Sequence, residues 1–350
     1  MVSESKALVA MSGGVDSSVA AYLAMEEGFQ CIGGTMILCQ KECDISDAEA
    51  VAHRLGIPFY IFDAKLPFRQ LVQEPFVQSY EAGDTPNPCI LCNRKLKFGY
   101  LLDRAKELGC SHIVTGHYAR VRQDPETGRW LLLKAADNAK DQSYFLAILS
   151  QEQLKHIYFP LGELTKEQAR AVAEAQSFVN AKKRDSQDIC FIPDGDYPAF
   201  LKQFTGKQYP AGSFLDLEGH VVGQHKGAVC YTLGQRKGLG IAMGQPVYVC
   251  SKDMQANTVT VGPNEALFHK GLVASHWSWY PFETLTEPIR CMAKARSRMF
   301  EQPATAYPCG DGSVRVIFDE PQRALTPGQT VVLYDGEVVI GGGCIDLIEE

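Results

Sequence analysis

The chain has 350 residues, 45% of them hydrophobic, and a formal net charge of -7. That length permits a sizeable core and favours two or three domains over one. The acidic balance excludes attraction of a polyanion through overall charge, so a nucleic-acid partner must be held by local patches: Arg94-Lys95-Leu96-Lys97, Lys182-Lys183-Arg184, Arg236-Lys237 and Lys294-Ala295-Arg296-Ser297-Arg298.

The chain starts polar, and the apolar run Ala7 to Met11 is too short for an export signal or a membrane span, so a cytoplasmic protein with no membrane association is expected. Lys6 to Met11 reads as a strand breaking into a glycine turn. Ser17 to Glu27 carries apolar residues at helical spacing until Gly28. Cys31 to Leu38 is a second strand, Ser46-Asp47-Ala48-Glu49 has the form of a capping box, and Pro58 to Phe62 is a third strand. Asn93 to Leu108 is helical in pattern, and His112 to Thr115 is a strand entering Gly116-His117. This alternation predicts an α/β fold, a parallel sheet with helices on both faces. Arg120 to Lys134 reads instead as a hairpin turning at Asp124-Pro125-Glu126-Thr127-Gly128, an excursion from that sheet. Helix returns at Ser143 to Leu149 and after a second capping box, Thr165-Lys166-Glu167-Gln168. Beyond Asp194 the helical signal fades. Runs at Val247 to Val249, Thr258 to Val261, Ile289 to Ala295, Ser313 to Phe318 and Thr330 to Tyr334 predict one or two small β-barrels.

Three features carry chemistry. Ser12-Gly13-Gly14-Val15-Asp16-Ser17 joins a strand to a helix, where backbone N-H groups lack intrahelical partners and the dipole is positive, which makes an anion site. Gly13 and Gly14 permit close approach, the serines add hydroxyl donors, and Asp16 can hold Mg²⁺ against phosphates. The loop lacks the Gly-Lys-Ser/Thr ending of the common P-loop. Second, Thr85-Pro86-Asn87-Pro88-Cys89-Ile90-Leu91-Cys92-Asn93 places a Cys-x-x-Cys pair at a helix entry, where positive potential lowers a thiol pKa. Third, Cys190 follows the charged run Asp185 to Asp188; spacing alone leaves open whether it meets the pair or is a buried structural thiol. The other cysteines of the twelve are expected to be reduced, with Cys39 and Cys43 structural or incidental.

Ser-Gly-Gly-x-Asp-Ser resembles the signature of the PP-loop ATP pyrophosphatases, which split ATP to AMP and pyrophosphate to adenylate an oxygen of their substrate. Further strings resemble the tRNA-specific 2-thiouridylase family within that superfamily: Thr85 to Asn93, Thr115-Gly116-His117-Tyr118-Ala119-Arg120, Lys140-Asp141-Gln142-Ser143-Tyr144-Phe145, Ile189-Cys190-Phe191-Ile192, Tyr231 to Leu239 and Thr326-Pro327-Gly328-Gln329. The match spans nearly the whole chain in the family's order.

The resemblance implies ATP-dependent replacement of the C2 oxygen of a wobble uridine by sulfur, in tRNAs for Lys, Glu and Gln, with a persulfide donor or relay protein as second partner. It assigns Cys190 as the persulfide-bearing cysteine and Cys92 as the nucleophile left disulfide-bonded to it. ATP falls to Ala10, Met11, Ser12, Gly13, Gly14, Val15, Asp16, Ser17, Met36 and Gly116. The tRNA falls to His117, Lys140, Asp141, Gln142, Arg296, Ser297 and Gln329. The implied layout is a catalytic PP-loop domain over 1–198, a small β domain over 199–265 and a C-terminal β-barrel over 266–350 that contacts tRNA. Many family members carry aspartate where this chain has Cys89, so a base for the persulfide cysteine is missing. Cys89 then either relays sulfur or joins Cys92 and Cys190 around an iron-sulfur cluster. A PP-loop amide ligase and a non-catalytic tRNA binder remain as competing readings. The first has no use for Cys92 and Cys190, the second none for an intact Ser12 to Ser17 loop.

Overall fold

The computed structural model describes residues 5–38, 45–183 and 189–349. Cys39, Cys43, Arg184 and residues 185–188 of the third cysteine motif lie outside them.

The first part of the chain builds a five-stranded, all-parallel sheet from β1 (Lys6–Ala10), β2 (Gln30–Ile37), β3 (Phe59–Asp63), β4 (His112–Val114) and β7 (Ile157–Tyr158), in the order β3-β2-β1-β4-β7. Burial on both faces explains why β1 is apolar from Ala7 onward. Ala7 and Val9 join the core made with the helices Val15–Glu26, Ser46–Leu55 and Lys166–Ala175, while Leu8 joins Phe98 and Leu101 on the other side. The β5–β6 hairpin (Arg120–Gln123, Trp130–Leu133) leaves this sheet, as its turn chemistry predicted.

Two helical stretches differ from the sequence reading. Residues 65–82, to which the sequence reading gives no element, are helical; Pro67 and Pro75 each sit in the first turn of a helical segment, where the missing N-H is not needed, and wider i to i+5 turns over Arg69–Gln73 join the two. The second cysteine-bearing stretch spans 88–107 and starts five residues before Asn93, with Asn87 as its cap. The first expected capping box is not formed, since Ile45 is the cap and Ser46 already belongs to the helix. The box at Thr165 and Gln168 is formed, and so is one at Ser150 and Gln153. Past Asp194 one more helix survives, Tyr197–Thr205, capped by Asp196.

A four-stranded sheet follows, from β8 (Gly212–Leu215), β9 (Val221–His225), β10 (Tyr248–Asp253) and β11 (Thr258–Gly262), ordered β10-β11-β8-β9. Six antiparallel strands then close a barrel: β12 (Phe268–Trp279), β13 (Ile289–Lys294), β14 (Gln302–Pro308), β15 (Val314–Arg323), β16 (Thr330–Asp335) and β17 (Val338–Glu349), with β12 pairing both β15 and β17. The early hairpin extends the barrel wall: Leu133 of β6 registers with Val338 of β17, the Lys134 N-H donates to the Glu337 carbonyl at 2.9 Å, and the Arg129 guanidinium donates to the Trp279 and Tyr280 carbonyls at 2.9 and 2.8 Å. Among the described residues no helix is long and apolar enough to cross a membrane.

Candidate active site

The sheet changes direction of growth between β1 and β4, and such a switch opens a crevice at the carboxyl ends of parallel strands. Two loops meet there. One leaves β1 through Met11 and Ser12, turns at Gly13 with φ 72° and enters the helix at Gly14. The other leaves β4 through Thr115, Gly116 and His117. A β-carbon on Gly116 would stand 2.6 Å from the Asp16 carbonyl carbon and 2.7 Å from the Ser17 nitrogen, so only glycine lets the loops touch.

The β1 loop is fixed from inside and outside. The Ser12 N-H donates to Ser17 Oγ at 3.2 Å, and the Ser17 and Ser18 hydroxyls donate to the Gly14 carbonyl at 3.0 and 3.1 Å. Asn180 Nδ2 donates to the Gly13 carbonyl at 3.1 Å and to Ser18 Oγ at 2.9 Å, and Lys183 Nζ donates to the same carbonyl at 3.2 Å and to Asp47 at 2.6 Å. Gly14 has no side chain to cap the helix, which keeps the first-turn amides available to an anion. Asp16 is engaged: its Oδ1 accepts from Lys166 Nζ at 2.6 Å and from the Tyr118 hydroxyl at 2.9 Å, and its Oδ2 accepts from Lys166 Nζ at 2.8 Å.

Of the other residues assigned to ATP, buried Met11 ties its loop to β2 through its N-H to the Gly34 carbonyl at 2.8 Å and its carbonyl to the Thr35 hydroxyl. Val15 starts the helix, and half-buried Ala10 ends β1. Met36 packs both on the sheet core and on the cluster of Phe68, Val72, Cys92 and Leu96, so one side chain joins the nucleotide crevice to the cysteine helix.

Asn87 accepts the Cys89 N-H at 3.1 Å and Pro88 occupies the first turn, which fixes the start of the cysteine helix. Cys89 is exposed, whereas Cys92, one turn on, is buried. Burial pushes the Cys92 thiol up from its ordinary value, with Lys97 pulling the other way; desolvation also raises Cys89. The expected lowering at the helix entry is therefore outweighed. Cys190 is exposed on the segment after residue 188, and its neighbour Phe191 packs on the Cys92 cluster and edge-on to Phe68 and Phe76 at 5.5 and 5.3 Å. The two cysteine segments thus share one apolar cluster. Among the described residues, the one group of three ligating side chains whose donor atoms lie within 4.8 Å of one another is Asp216, Glu218 and His220 on a mostly exposed turn; the trio Cys89, Cys92 and Cys190 is not so gathered.

His117 links the halves of the site. Lys97 Nζ lies 3.4 Å from its Nε2, and Thr115 Oγ1 lies 2.6 Å from its Nδ1. An ammonium only donates, so Nε2 accepts and Nδ1 carries the proton toward Thr115. Burial, reinforced by Lys97, holds the imidazole pKa well below its ordinary 6.5, and the ring is neutral.

The remaining residues assigned to tRNA are largely committed within the chain. Asp141 accepts from the Ala135 N-H and the Ser143 hydroxyl at 2.9 and 2.7 Å, Gln142 exchanges hydrogen bonds with the Tyr118 backbone, and the Lys140 N-H donates to the Asp137 carbonyl at 3.0 Å. Arg296 donates to the Arg323 and Ala324 carbonyls, while Ser297 stands on the β13–β14 loop. Gln329 Nε2 donates to the Thr85 carbonyl, fastening the barrel to the Thr-Pro-Asn-Pro segment.

Sequence reading missed Lys166, Tyr118, Asn180 and Lys97 as parts of this site. Only Lys166 carried a local signal: a cation in the first turn of a capped helix, where the dipole disfavours it.

Residues 5–194 match the tRNA methyl transferase HUP domain family, residues 198–263 its PRC-barrel domain and residues 269–345 the aminomethyltransferase beta-barrel domain. Across 97% of its length the chain is 48% identical to a tRNA-specific 2-thiouridylase MnmA of Symbiobacterium thermophilum, covering 92% of that protein. It is 43% identical to the protein of the same name from Clostridioides difficile, over 99% of both chains. With that of Magnetococcus marinus it shares 46% identity over 99% of this chain and all of the other.

Proposed function

The chain belongs to the tRNA-specific 2-thiouridylase family, and from that premise we propose that it uses ATP to replace the C2 oxygen of a wobble uridine in tRNA by sulfur. The single observation carrying this reading is a convergence: Met36 packs on both the sheet core and the cluster shared by Cys92 and Phe191, and Lys97 of the cysteine helix meets His117 of the loop that touches the anion-binding helix start. An amide ligase has no use for that convergence.

The steps follow from the residues. The amides after Gly14 and the Ser12 hydroxyl hold the phosphates of ATP while the uridine oxygen attacks the α-phosphorus, releasing pyrophosphate. The poor leaving group becomes AMP. A persulfide loaded on Cys190 is attacked at its inner sulfur by the Cys92 thiolate, which forms a Cys92–Cys190 disulfide and expels hydrosulfide. Hydrosulfide adds at C2 and AMP leaves; an external dithiol reductant supplies the two electrons that return the disulfide to thiols and reset the enzyme. The raised Cys92 thiol suits a nucleophile that must be unmasked rather than one that is always charged.

Mg²⁺ was expected on Asp16. Both oxygens of that carboxylate accept from Lys166, which is the donor set of an ion pair rather than of an open metal site, and no step above is routed through a metal. We favour the persulfide over a cluster because disulfide exchange between Cys190 and Cys92 accounts for sulfide release with no further cofactor. The reading extends to tRNAs for Lys, Glu and Gln, to a persulfide donor or relay protein in the cytoplasm, and to catalysis by 1–198 with tRNA contact by 266–350 across a linking domain at 199–265. The test is sulfur incorporation into tRNA with ATP and either a persulfide donor or free sulfide. Cys190→Ser is expected to fail with the donor and to work with sulfide; full activity with the donor would refute the role given to Cys190.

A further inference from the structure

Lys166 is hard to justify as a structural residue. It begins the helix Lys166–Ala175, where the dipole repels a cation, and it is 6% exposed, a burial lysine almost never tolerates without a partner. A buried ion pair seldom stabilises a fold more than apolar packing would. Yet its position is held from several sides: Thr165 and Gln168 cap the helix reciprocally, and the Lys166 N-H donates to Asp137 at 3.1 Å. The ammonium is thereby delivered to both oxygens of Asp16, in the first turn of the phosphate-binding helix.

ATP entering that loop brings several negative charges beside the Asp16 carboxylate, and some cation must separate them. Lys166 is already there. The Tyr118 hydroxyl, 2.9 Å from Asp16 Oδ1 with its own backbone clamped to Gln142, keeps a hydrogen bond on the carboxylate if the ammonium turns away. We infer that Lys166 is the resident cation of the ATP site: it neutralises Asp16 before nucleotide arrives and shifts its charge toward the β- and γ-phosphates when ATP binds, so that binding does not rest wholly on a divalent ion. This deepens the proposed function and rests on its ATP reading.

The test is calorimetric titration of ATP, and separately of AMP, into the full chain without tRNA, once with excess EDTA and once with excess Mg²⁺. Wild type is expected to bind ATP in EDTA. Lys166→Met is expected to bind it at least about tenfold more weakly there, as fits loss of a charge-assisted contact, with the gap narrowing when Mg²⁺ is supplied. Lys166→Arg should stay within about threefold of wild type, and AMP, lacking the outer phosphates, should change by less than about threefold in Lys166→Met. The double variant Asp16→Asn/Lys166→Met removes both charges and guards against misfolding by a lone buried carboxylate; it too should bind ATP weakly in EDTA. Wild-type affinity in Lys166→Met or in the double variant would overturn the inference, as would equal losses for ATP and AMP. Wild type failing to bind ATP in either condition would instead sink the ATP reading itself.

Discussion

The nucleotide loop and the Cys190 segment are held very differently. The loop is bonded from inside by its serines and from outside by Asn180, Lys183 and Lys166, with Gly116 pressed against its backbone. The Cys190 turn packs Phe191 and Ile192 into apolar clusters, and its Ile192 N-H donates to the Ile189 carbonyl at 2.8 Å. Activation demands fixed donors, because charge develops at one place. Sulfur delivery demands travel, since Cys190 must first meet a donor and then Cys92. The two anchorages differ as the two halves of the reaction do.

The largest effect that would sharpen this contrast is in Cys92→Ser: sulfur transfer from the donor should fall by about a thousandfold or more, as for loss of a nucleophile, while tRNA-dependent pyrophosphate release persists. Loss of both together would mean the regions are not separable. Gly116→Ala drives a methyl group into the Asp16 backbone, an overpacking that costs about 1–3 kcal/mol; it should lower the melting temperature and raise the KM for ATP by at least about tenfold. Phe191→Ala ought to slow sulfur transfer several-fold, by about 0.5–1.5 kcal/mol of lost ring packing, without changing ATP affinity measured by titration. If ATP affinity moves equally, the Cys190 turn is coupled to the loop rather than independent of it. Asn180→Ala leaves the Gly13 carbonyl with Lys183 alone and should weaken ATP by about 1 kcal/mol. The smallest effect is on pH. His117 is depressed in the folded chain, so its contribution is complete above the unfolded value near 6.5 and is lost as pH falls below it. Melting curves from about pH 7.5 to 5 should fall less steeply for His117→Gln than for wild type.

Local patterns were legible where one face or one turn decides the structure. The β1 strand, the loop after it, the hairpin and the Thr165 cap could all be read, because Gly13, Gly128 and Thr165 each act on their immediate neighbours. The helical stretch over 65–82, interrupted by Pro67 and Pro75, and the strands β8, β9, β12, β14 and β17, which carry glycines, prolines or polar residues that pairing within their sheets accommodates, were not read. In the site, Ser12 to Ser17 and the cysteines could be named from motifs. Asn180, Lys97 and Tyr118 could not, since their roles come from contacts between residues remote in the chain. The thiol shift at Cys92 shows the same limit: helix position is written locally, whereas burial depends on Phe68, Val72 and Phe191.

The hairpin on the barrel wall has a consequence for ancestry and engineering. Cutting the chain before β12 would strip β6 of its partner β17 and the Arg129 guanidinium of its two carbonyl acceptors, so the barrel cannot be traded between relatives as a cassette bounded by sequence alone. A viable chimera must carry residues 120–134 along with the barrel. Recombination between relatives therefore has to respect a seam made by a segment that lies far upstream of the part it belongs to.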